Sequence, residues 1–476
     1  MRVIEAVTSN QRSDEVAAML AVAGAKTWIG LDRALRTPAV VHDGRPVQTM
    51  DRPPADERLS QLVAACSPDG RRRESAVADP VMCADGLLLP VLVLRTADWV
   101  PQVRERARPT LAAALRSAGP AALSAAASVA VAIGSWARGG HALQAVAGAL
   151  CTAPDEVLAS ARRHPDIGVR RLAYRSWLSS GRSRHEEVMR AALGEHDGVC
   201  ALRCAQWLVS DAVQDRRVDV LERLLEQGSA KVGVEALTAL VRLGRPEAGV
   251  AHLPDRSAMM RATAQWAVRR ADRSSAAIYR DALAGDRPPG RARALVAGLG
   301  ECGTRQDVQV LLPFLEHPSP RVRAEAVRAV RRLGGSVLRI SGMLADPAPV
   351  VVRAVKQALR NEPYAVPAAQ LWALLDADSL PHVRLGAYDQ LRMKDTWTRV
   401  HVDLHLVAAR DRELSNRAHA DLTDWSRHSA ATAYRTPTRE MALRLGQLID
   451  TAEALIGAQH AHQLRWILGI NREHSS

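Results

Sequence analysis

The sequence predicts an all-α fold in which about twelve helical hairpins stack side by side into a curved α-solenoid. A pattern of one turn followed by one helix recurs about every 31 residues, which is typical of repeat architectures. The helices carry apolar stripes on one side only, so each must bury its stripe against a neighbour. A single Phe, five Tyr and many Ala favour closely packed small-residue helices over sheets.

The clearest copy of the repeat runs from His317 to Gly334. Two prolines in its turn precede a helix whose apolar positions run at helical spacing from Val322 to Leu333. Gly334 follows as a C-terminal cap, because glycine accepts the left-handed conformation that ends many helices. This copy therefore predicts the turn and the second helix of each hairpin.

An arginine occurs early in the second helix of each recognisable copy. The ten arginines are Arg73, Arg104, Arg170, Arg203, Arg261, Arg293, Arg323, Arg353, Arg384 and Arg417. Two gaps between them are about twice the usual period, so each gap is predicted to hide a copy without the arginine, at residues 136–151 and 229–243. The first helices are predicted between these segments, at residues 155–161, 186–193, 218–225, 276–283, 308–315, 337–344 and 369–375.

The turn with Asp and Pro, followed by a Val-Arg pair and an Ala, resembles HEAT repeats, as in HPSPRVRAEA from His317. The short period is similar to the compact HEAT-like units of phycobilin lyases and bacterial scaffolding proteins. The resemblance covers residues 59–428 and implies an armadillo-like helical solenoid. Residues 1–58 are predicted to form a helical cap and a loop, and residues 429–476 closing helices and a tail. Scaffolds, regulators and a few enzymes share this architecture, so the resemblance leaves function open.

Helix boundaries can be predicted at both ends of the chain. Near the start, Ser13 or Asp14 is a suitable N-cap, and the prolines and glycine of residues 37–55 predict a loop. Near the end, Thr436 followed by Pro437 predicts a helix start with the threonine as N-cap. A closing helical hairpin is predicted after it, covering the last repeat.

The repeated arginine has a structural interpretation, because a catalytic residue is needed once and this one occurs ten times. The resemblance to HEAT repeats implies that it bridges turn carboxylates and backbone carbonyls of neighbouring repeats. The turn aspartates that could accept from it are Asp166, Asp197, Asp255, Asp346, Asp378 and Asp411.

The net charge of +13 suggests a polyanionic partner, but it also fits a solvated basic surface. All but four of the basic residues are arginines, which indicates a compositional bias of the source genome. The six cysteines are spread thinly through predicted helices, so reduced thiols and a cytoplasmic location are expected. We expect no secretory signal and no membrane span, because the apolar runs are too short.

A second group of arginines forms the candidate partner-binding surface. Arg321, Arg328 and Arg332 share one face of a predicted helix, opposite its apolar stripe. Second helices usually line the inner, concave surface of such arrays, so a basic track is predicted there. The arginine set consists of Arg269, Arg270, Arg291, Arg293, Arg321, Arg328, Arg331 and Arg332.

Among the tryptophans, Trp99 is the first candidate for an exposed role, because it follows Asp98 in an irregular turn. It is therefore also a candidate partner-binding residue. Trp177, Trp207 and Trp266 lie at one common position of the repeat and are predicted to be core residues instead of stacking platforms for bases.

No catalytic, cofactor or metal site is predicted. Phosphate-binding, nucleophile-elbow and dinucleotide motifs are missing from the sequence. His196, Cys200 and Cys204 are four residues apart but have no fourth ligand nearby, and the pair of His401 and His405 has no third.

These observations predict a non-enzymatic scaffold that binds a protein partner through its concave surface. Binding of nucleic acid along the basic track is the first alternative. A DNA glycosylase or a bilin lyase on the same scaffold is the second, although the Trp-Trp-Asp run of the HEAT-fold glycosylases is missing.

Overall fold

A computed structural model of the chain describes residues 13–36, 54, 56–285, 288–375, 378–409, 411–433 and 436–469. All regular elements in these ranges are helical, which confirms the predicted all-α fold. The predicted loop at 37–55 lies outside the described residues except for Pro54, and so does the tail at 471–476. The chain divides into two compact units, Met1–Gly244 and Arg245–Ser476.

The first unit opens with helices α1 (Ser13–Ala21) and α2 (Ala25–Arg36). The helical spacing of Val16, Met19 and Leu20 predicts one apolar face for α1, and Val16 and Leu20 are buried, whereas Met19 is 41% exposed. The apolar face of this first helix is therefore narrower than the sequence suggests.

Six helical pairs follow in the described part of the first unit. They are α3 (Glu57–Ala65) with α4 (Gly70–Ala78), α6 (Leu89–Arg95) with α7 (Pro101–Arg116), α8 (Pro120–Ile133) with α9 (Gly140–Thr152), α10 (Asp155–Arg162) with α11 (Ile167–Ser179), α12 (His185–Gly194) with α13 (Gly198–Gln214), and α14 (Val218–Gln227) with α15 (Ala230–Arg242). A short helix α5 (Val81–Ala84) and a 3₁₀ turn (Gly86–Leu88) join the first two pairs. Helices α9 and α15 are the two hidden copies that the long gaps predict.

Six further pairs make up most of the second unit within the described residues. They are a 3₁₀ helix (Pro246–His252) with α16 (Ala258–Arg270), α17 (Ser275–Leu283) with α18 (Pro289–Cys302), α19 (Val308–Leu311) with α20 (Pro320–Arg332), α21 (Val337–Ser341) with α22 (Pro349–Ala358), α23 (Ala368–Leu374) with α24 (Pro381–Arg392), and α25 (Thr396–Val407) with α26 (Arg412–His428). Two more helices close the unit, α27 (Arg439–Ile456) and α28 (Ala458–Leu468).

Some first helices are shorter than their apolar patterns suggest. Helix α19 changes to a 3₁₀ helix at Leu312–Glu316, where Pro313 has no N–H to continue the α-helical ladder. Helix α21 changes in the same way at Gly342–Ala345, at a glycine. The second helices beside them remain regular, and α20 packs closely against both α18 and α22.

Neighbouring second helices run parallel to one another. The Ser176 hydroxyl of α11 donates to the Ala147 carbonyl of α9 at 3.0 Å, and the Thr110 hydroxyl of α7 donates to the Val77 carbonyl of α4 at 3.0 Å. The Arg203 guanidinium reaches the Arg171 carbonyl at 3.4 Å. The partners of these bonds are separated by 29, 33 and 32 residues, about one repeat, which is the register of parallel neighbours. The N-terminal ends of these second helices therefore lie along one edge of the first unit.

The C-terminal hairpin begins two residues later than the sequence predicts. The predicted N-cap, Thr436, is wrong, because the Thr438 side chain accepts from the Met441 backbone N–H at 3.3 Å and α27 begins at Arg439. Pro437 thus precedes the cap instead of occupying the first helical position.

Candidate partner-binding surfaces

Turn aspartates start many of the second helices. The Asp346 carboxylate accepts from the Ala348 backbone N–H at 2.8 Å, and the Asp411 carboxylate accepts from the Glu413 N–H at 2.9 Å. Each carboxylate thus satisfies an N–H group that the helix itself leaves without a partner. Asp166, Asp197 and Asp255 accept from backbone N–H groups in the same way.

The repeated arginine holds the turn of its own repeat. The Arg323 guanidinium donates to the carbonyls of His317 at 2.9 Å and Pro318 at 3.1 Å, six and five residues earlier. Arg73, Arg170 and Arg261 make the same pair of bonds in their own turns. One guanidinium therefore saturates two turn carbonyls that no helix could satisfy.

The same arginines also join neighbouring repeats. Arg323 makes a bidentate contact with Asp346 of the next repeat at 2.8 and 2.9 Å, and Arg384 contacts Asp411 at 3.1 Å. These contacts confirm the predicted bridging role at these positions. In α16 the acidic partner differs, because Arg261 contacts Glu301 of α18 instead of a turn aspartate.

In α11 the bridge is displaced by one residue. Arg171, and not Arg170, forms the bidentate contact with Asp197, at 2.8 and 3.2 Å. Hydrogen bonds from Arg171 hold the pKa of Asp197 well below its ordinary value. The carboxylate is therefore charged throughout the physiological range and can cap α13 and bind the arginine together.

The first unit contains a buried charge network that sequence reasoning missed. We call it the Asp98 network: Asp32, Arg36, Arg73, Arg95 and Asp98. The Asp98 carboxylate is fully buried and accepts from Arg73 at 3.0 Å through both oxygens, from Arg95 at 3.1 Å and from Arg36 at 3.0 Å. Asp32 contacts Arg95 at 2.5 Å and Arg36 at 3.0 Å. The network joins α2 to the first repeats. Pairs such as Arg36 with Asp98 are too far apart in the sequence to be predicted from local patterns.

The arginine set lies on three second helices of the second unit, α16, α18 and α20. Two of its members share one acidic partner: Glu325, itself buried, lies 3.5 Å from Arg293 and 2.9 Å from Arg328. Arg331 contacts Glu362 at 2.8 Å. Within the described residues, no carboxylate lies in ion-pair distance of the other five, which are exposed: Arg269, Arg270, Arg291, Arg321 and Arg332.

The arginine set does not form one continuous line. Arg291, Arg293 and Arg321 lie in the first turns of their helices, whereas Arg269, Arg270, Arg331 and Arg332 lie in the last turns. Arg321 and Arg332 are eleven residues apart, so about 17 Å of helix separates the two groups. The arginines in the last turns also interact favourably with the negative end of the helix dipole. The predicted track therefore consists of two basic groups on one set of helices.

Trp99 is exposed, as the sequence predicts, with 64% of its surface accessible. Its ring centre lies 5.8 Å from the guanidinium carbon of Arg73, a cation–π distance. Trp177 is buried against Arg162, whose guanidinium carbon lies 3.9 Å from its ring centre. Trp207 and Trp266 are only partly buried.

Cys200, Cys204 and His401, which the sequence analysis considered as metal ligands, are all buried. Cys200 and Cys204 are fully buried, and burial raises the pKa of each thiol to about 12. Both thiols are therefore protonated at neutral pH. His401 lies 4.6 Å from the ring of Trp372, and burial lowers its pKa to about 4.

A second buried acidic group lies in the last repeats. The Tyr388 hydroxyl is 2.6 Å from an Asp403 oxygen and 2.8 Å from an Asp421 oxygen. A phenol has one proton, so it can donate to one carboxyl group only. Burial raises the pKa of Asp403 to about 7. Asp403 is therefore protonated below neutrality and can donate to the phenol oxygen while the phenol donates to Asp421.

Across the residues that the structure describes, none of the helices combines the length and apolar character needed to cross a membrane.

Comparison with known proteins places a recognised repeat in the second unit. The family model described as HEAT repeats matches residues 276–360, from α17 to the end of α22. No curated protein matches the sequence.

Among solved structures, the chain is similar to Kap121p, with 11% identity and a TM-score of 0.39 over 98% of this chain and 58% of that one. It is also similar to importin beta, with 14% identity and a TM-score of 0.33 over 98% and 76% of the two chains. Kap95p, in a structure describing its effect on RanGDP, gives 11% identity and a TM-score of 0.33 over 98% and 68%. The chain thus spans less than two thirds of the length of Kap121p.

Proposed function

We propose that this HEAT-repeat chain is a non-enzymatic scaffold that binds a protein partner through the face of its second helices, the side predicted from the sequence to be concave. The resemblance in sequence pattern and the match to HEAT repeats support the architecture. The partner and the surface are inferred from the charges of the second unit.

One observation carries the proposal: five exposed arginines on three neighbouring helices have no carboxylate partner among the described residues. The acidic residues of the same helices are already engaged, because Glu301 contacts Arg261 and Glu325 contacts Arg293 and Arg328. The face therefore has an excess of guanidinium groups that can each bind a carboxylate through two hydrogen bonds. A partner with an acidic surface fits this excess.

The scaffold holds these arginines at fixed separations. Ion pairs join the three helices in succession: Arg261 of α16 contacts Glu301 of α18, and Arg293 of α18 lies 3.5 Å from Glu325 of α20. A rigid surface loses less conformational entropy on binding than a flexible one, so the interface is organised before the partner arrives.

The proposal is tested by charge reversal on the full chain. We expect Arg321→Glu with Arg332→Glu to abolish recovery of the proteins that the wild-type chain retains from extracts of its source cells, measured by quantitative mass spectrometry. The control carries Arg175→Glu and Arg190→Glu, two exposed arginines of the first unit, which change the net charge equally. Equal recovery with both double variants contradicts the proposed surface.

Binding of nucleic acid is a second candidate, because the same five arginines could contact phosphates. It predicts that affinity for a labelled duplex falls steeply with salt, with a log–log slope set by the number of phosphates neutralised. A chain that retains nucleic acid but no protein supports this candidate and contradicts a protein partner.

A further inference from the structure

Four exposed apolar side chains lie in, or directly after, the turns that precede the second helices of four successive repeats in the first unit. Trp99 is 64% exposed, Trp136 46%, Ile167 45% and Val199 36%. Trp99 and Trp136 lie in the turns before α7 and α9, and Ile167 and Val199 lie in the first turns of α11 and α13. We call these four residues the turn row.

The fold places the turn row along a single edge. Because α9, α11 and α13 run parallel, their N-terminal ends lie side by side, and α7 is the second helix of the preceding repeat. Packed helices are separated by about 8–10 Å, so each step of the row covers about that distance. Polar residues, Asp69 before α4 and Ser229 before α15, occupy the turns on either side of the row.

The row is not explained by packing within the chain. Single exposed apolar residues are common at protein surfaces, but a succession of them on one edge marks an interaction surface. Turns and helix starts favour polar residues and glycine, whereas Trp99 and Trp136 lie in turns and Ile167 and Val199 lie at the helix starts that follow turns. Trp99 is also held in place, because its ring lies against Arg73, whose guanidinium is fixed in the Asp98 network.

The charges beside the row are mainly positive. Arg138 follows Trp136 by two residues, Arg163 precedes Ile167 by four, and both are exposed with no ion pair in the described part of the chain. The aspartates of these turns have other roles: Asp98 and Asp197 are buried with arginines, and Asp166 caps α11. A partner lying along the row thus meets arginines more often than free carboxylates.

We infer that the turn row binds an extended, acidic segment of a partner protein that places an apolar side chain at about every third residue. A polyproline II segment advances about 3.1 Å per residue and turns once every three residues, so its equivalent side chains are about 9 Å apart. This step matches the spacing of packed helices. An α-helix would offer an equivalent side chain only at every second turn, about 10.5 Å apart, which is slightly longer than this step. The inference rests on the proposed function and names the kind of segment recognised.

The probe is a fluorescein-labelled peptide of five Leu-Glu-Pro units, measured by fluorescence anisotropy with the full chain. One control peptide has the same composition with its leucines grouped together, and a second has Lys in place of Glu. We expect the regular acidic peptide to bind at least about tenfold more tightly than either control, as expected when several apolar anchors dock at once. Equal binding of all three peptides overturns the inference.

Variants of the chain locate the binding. We expect Trp99→Ser to weaken the probe about tenfold, and Ile167→Ser to weaken it severalfold. Trp466→Ser is the matched control, because Trp466 is 76% exposed on α28 in the second unit. All three residues are exposed, so the variants are expected to fold, which circular dichroism would check. A Trp99→Ser chain that binds the probe like wild type contradicts the inference.

The same proteins separate this inference from the proposed function. If charge reversal at Arg321 and Arg332 releases the natural partner while Trp99→Ser affects neither that partner nor the probe, the inference fails and the proposed function stands. If the chain retains no protein partner, the proposed function fails whatever the peptide does.

Discussion

Replacing Asp98 by Asn is expected to destabilise the first unit severely. The wild-type carboxylate accepts from Arg36, Arg73 and Arg95, and the side chains of Arg73 and Arg95 are almost completely buried. The amide of Asn has the same shape but no charge, and its NH₂ group would face guanidinium donors. Removing one member of a buried ion pair costs about 3–5 kcal/mol, because the remaining charge stays buried without compensation.

The size of this loss can be judged against the whole stability. Domains are stable by about 5–15 kcal/mol, so the substitution removes a large share. Since repeat arrays do not unfold in one step, the appropriate assay is hydrogen–deuterium exchange with mass spectrometry, resolved by helix. We expect faster exchange in α2, α4 and α6, with little change in the second unit. Urea unfolding followed by circular dichroism then gives the first transition at lower denaturant.

The control is Asp155→Asn, which removes the partner of Arg182 at 2.8 Å in a pair whose aspartate is 81% exposed. Exposed pairs contribute at most about 1 kcal/mol, so exchange should be almost unchanged. If Asp98→Asn and Asp155→Asn destabilise the chain equally and by less than about 1 kcal/mol, the reasoning about the Asp98 network is wrong.

Three further predictions concern the second unit. Arg323→Ala should lower the free energy of unfolding in urea by about 2–4 kcal/mol, because it removes the hydrogen bonds to the turn and leaves Asp346 without its arginine. Arg353→Ala, at an exposed copy of the same position, should lower it by less than about 0.5 kcal/mol. Equal losses would refute the bridging role. The pKa of Asp403 is raised to about 7 from an ordinary 3.8, so between about pH 4 and pH 7 the folded chain holds a proton that the unfolded chain has lost. The free energy of unfolding should therefore fall as pH rises through this range, by up to about 1.4 kcal/mol per pH unit. Asp403→Asn should remove this slope, and an unchanged slope would count against a protonated Asp403. Thr438→Ala should lower the stability of the C-terminal hairpin by about 1 kcal/mol in thermal unfolding, and Thr436→Ala should not; the reverse result would restore the cap predicted from the sequence.

Local patterns in the sequence predicted most of the architecture. The spacing of the arginines located the second helices, and the double gaps located α9 and α15, because each repeat obeys the same packing rules as its neighbours. The carbonyl contacts of Arg323 lie five and six residues away, within the same repeat. Such features depend on residues that are close together in the chain, so a repeating sequence pattern is enough to predict them.

Contacts between distant residues were not predictable. Arg36 and Asp98 are 62 residues apart, and nothing in the spacing of either indicates the pair. Glu325 is buried and pairs with both Arg293 and Arg328. These two members of the arginine set therefore already have a carboxylate partner, which the sequence pattern did not indicate. The contacts of the Tyr388 hydroxyl with Asp403 and Asp421 likewise require three helices to meet. The choice between Thr436 and Thr438 failed for a different reason, since both residue types suit an N-cap.

The central claim is that second helices and the turns before them, in both units, bind an acidic partner. Hydrogen–deuterium exchange of the full chain, with and without the partner recovered from its source cells, tests this claim most directly. The account predicts slower exchange on binding in α16, α18 and α20 and in the turns before α7, α9, α11 and α13. Protection confined to the first helices, such as α10, α12 and α17, would contradict it.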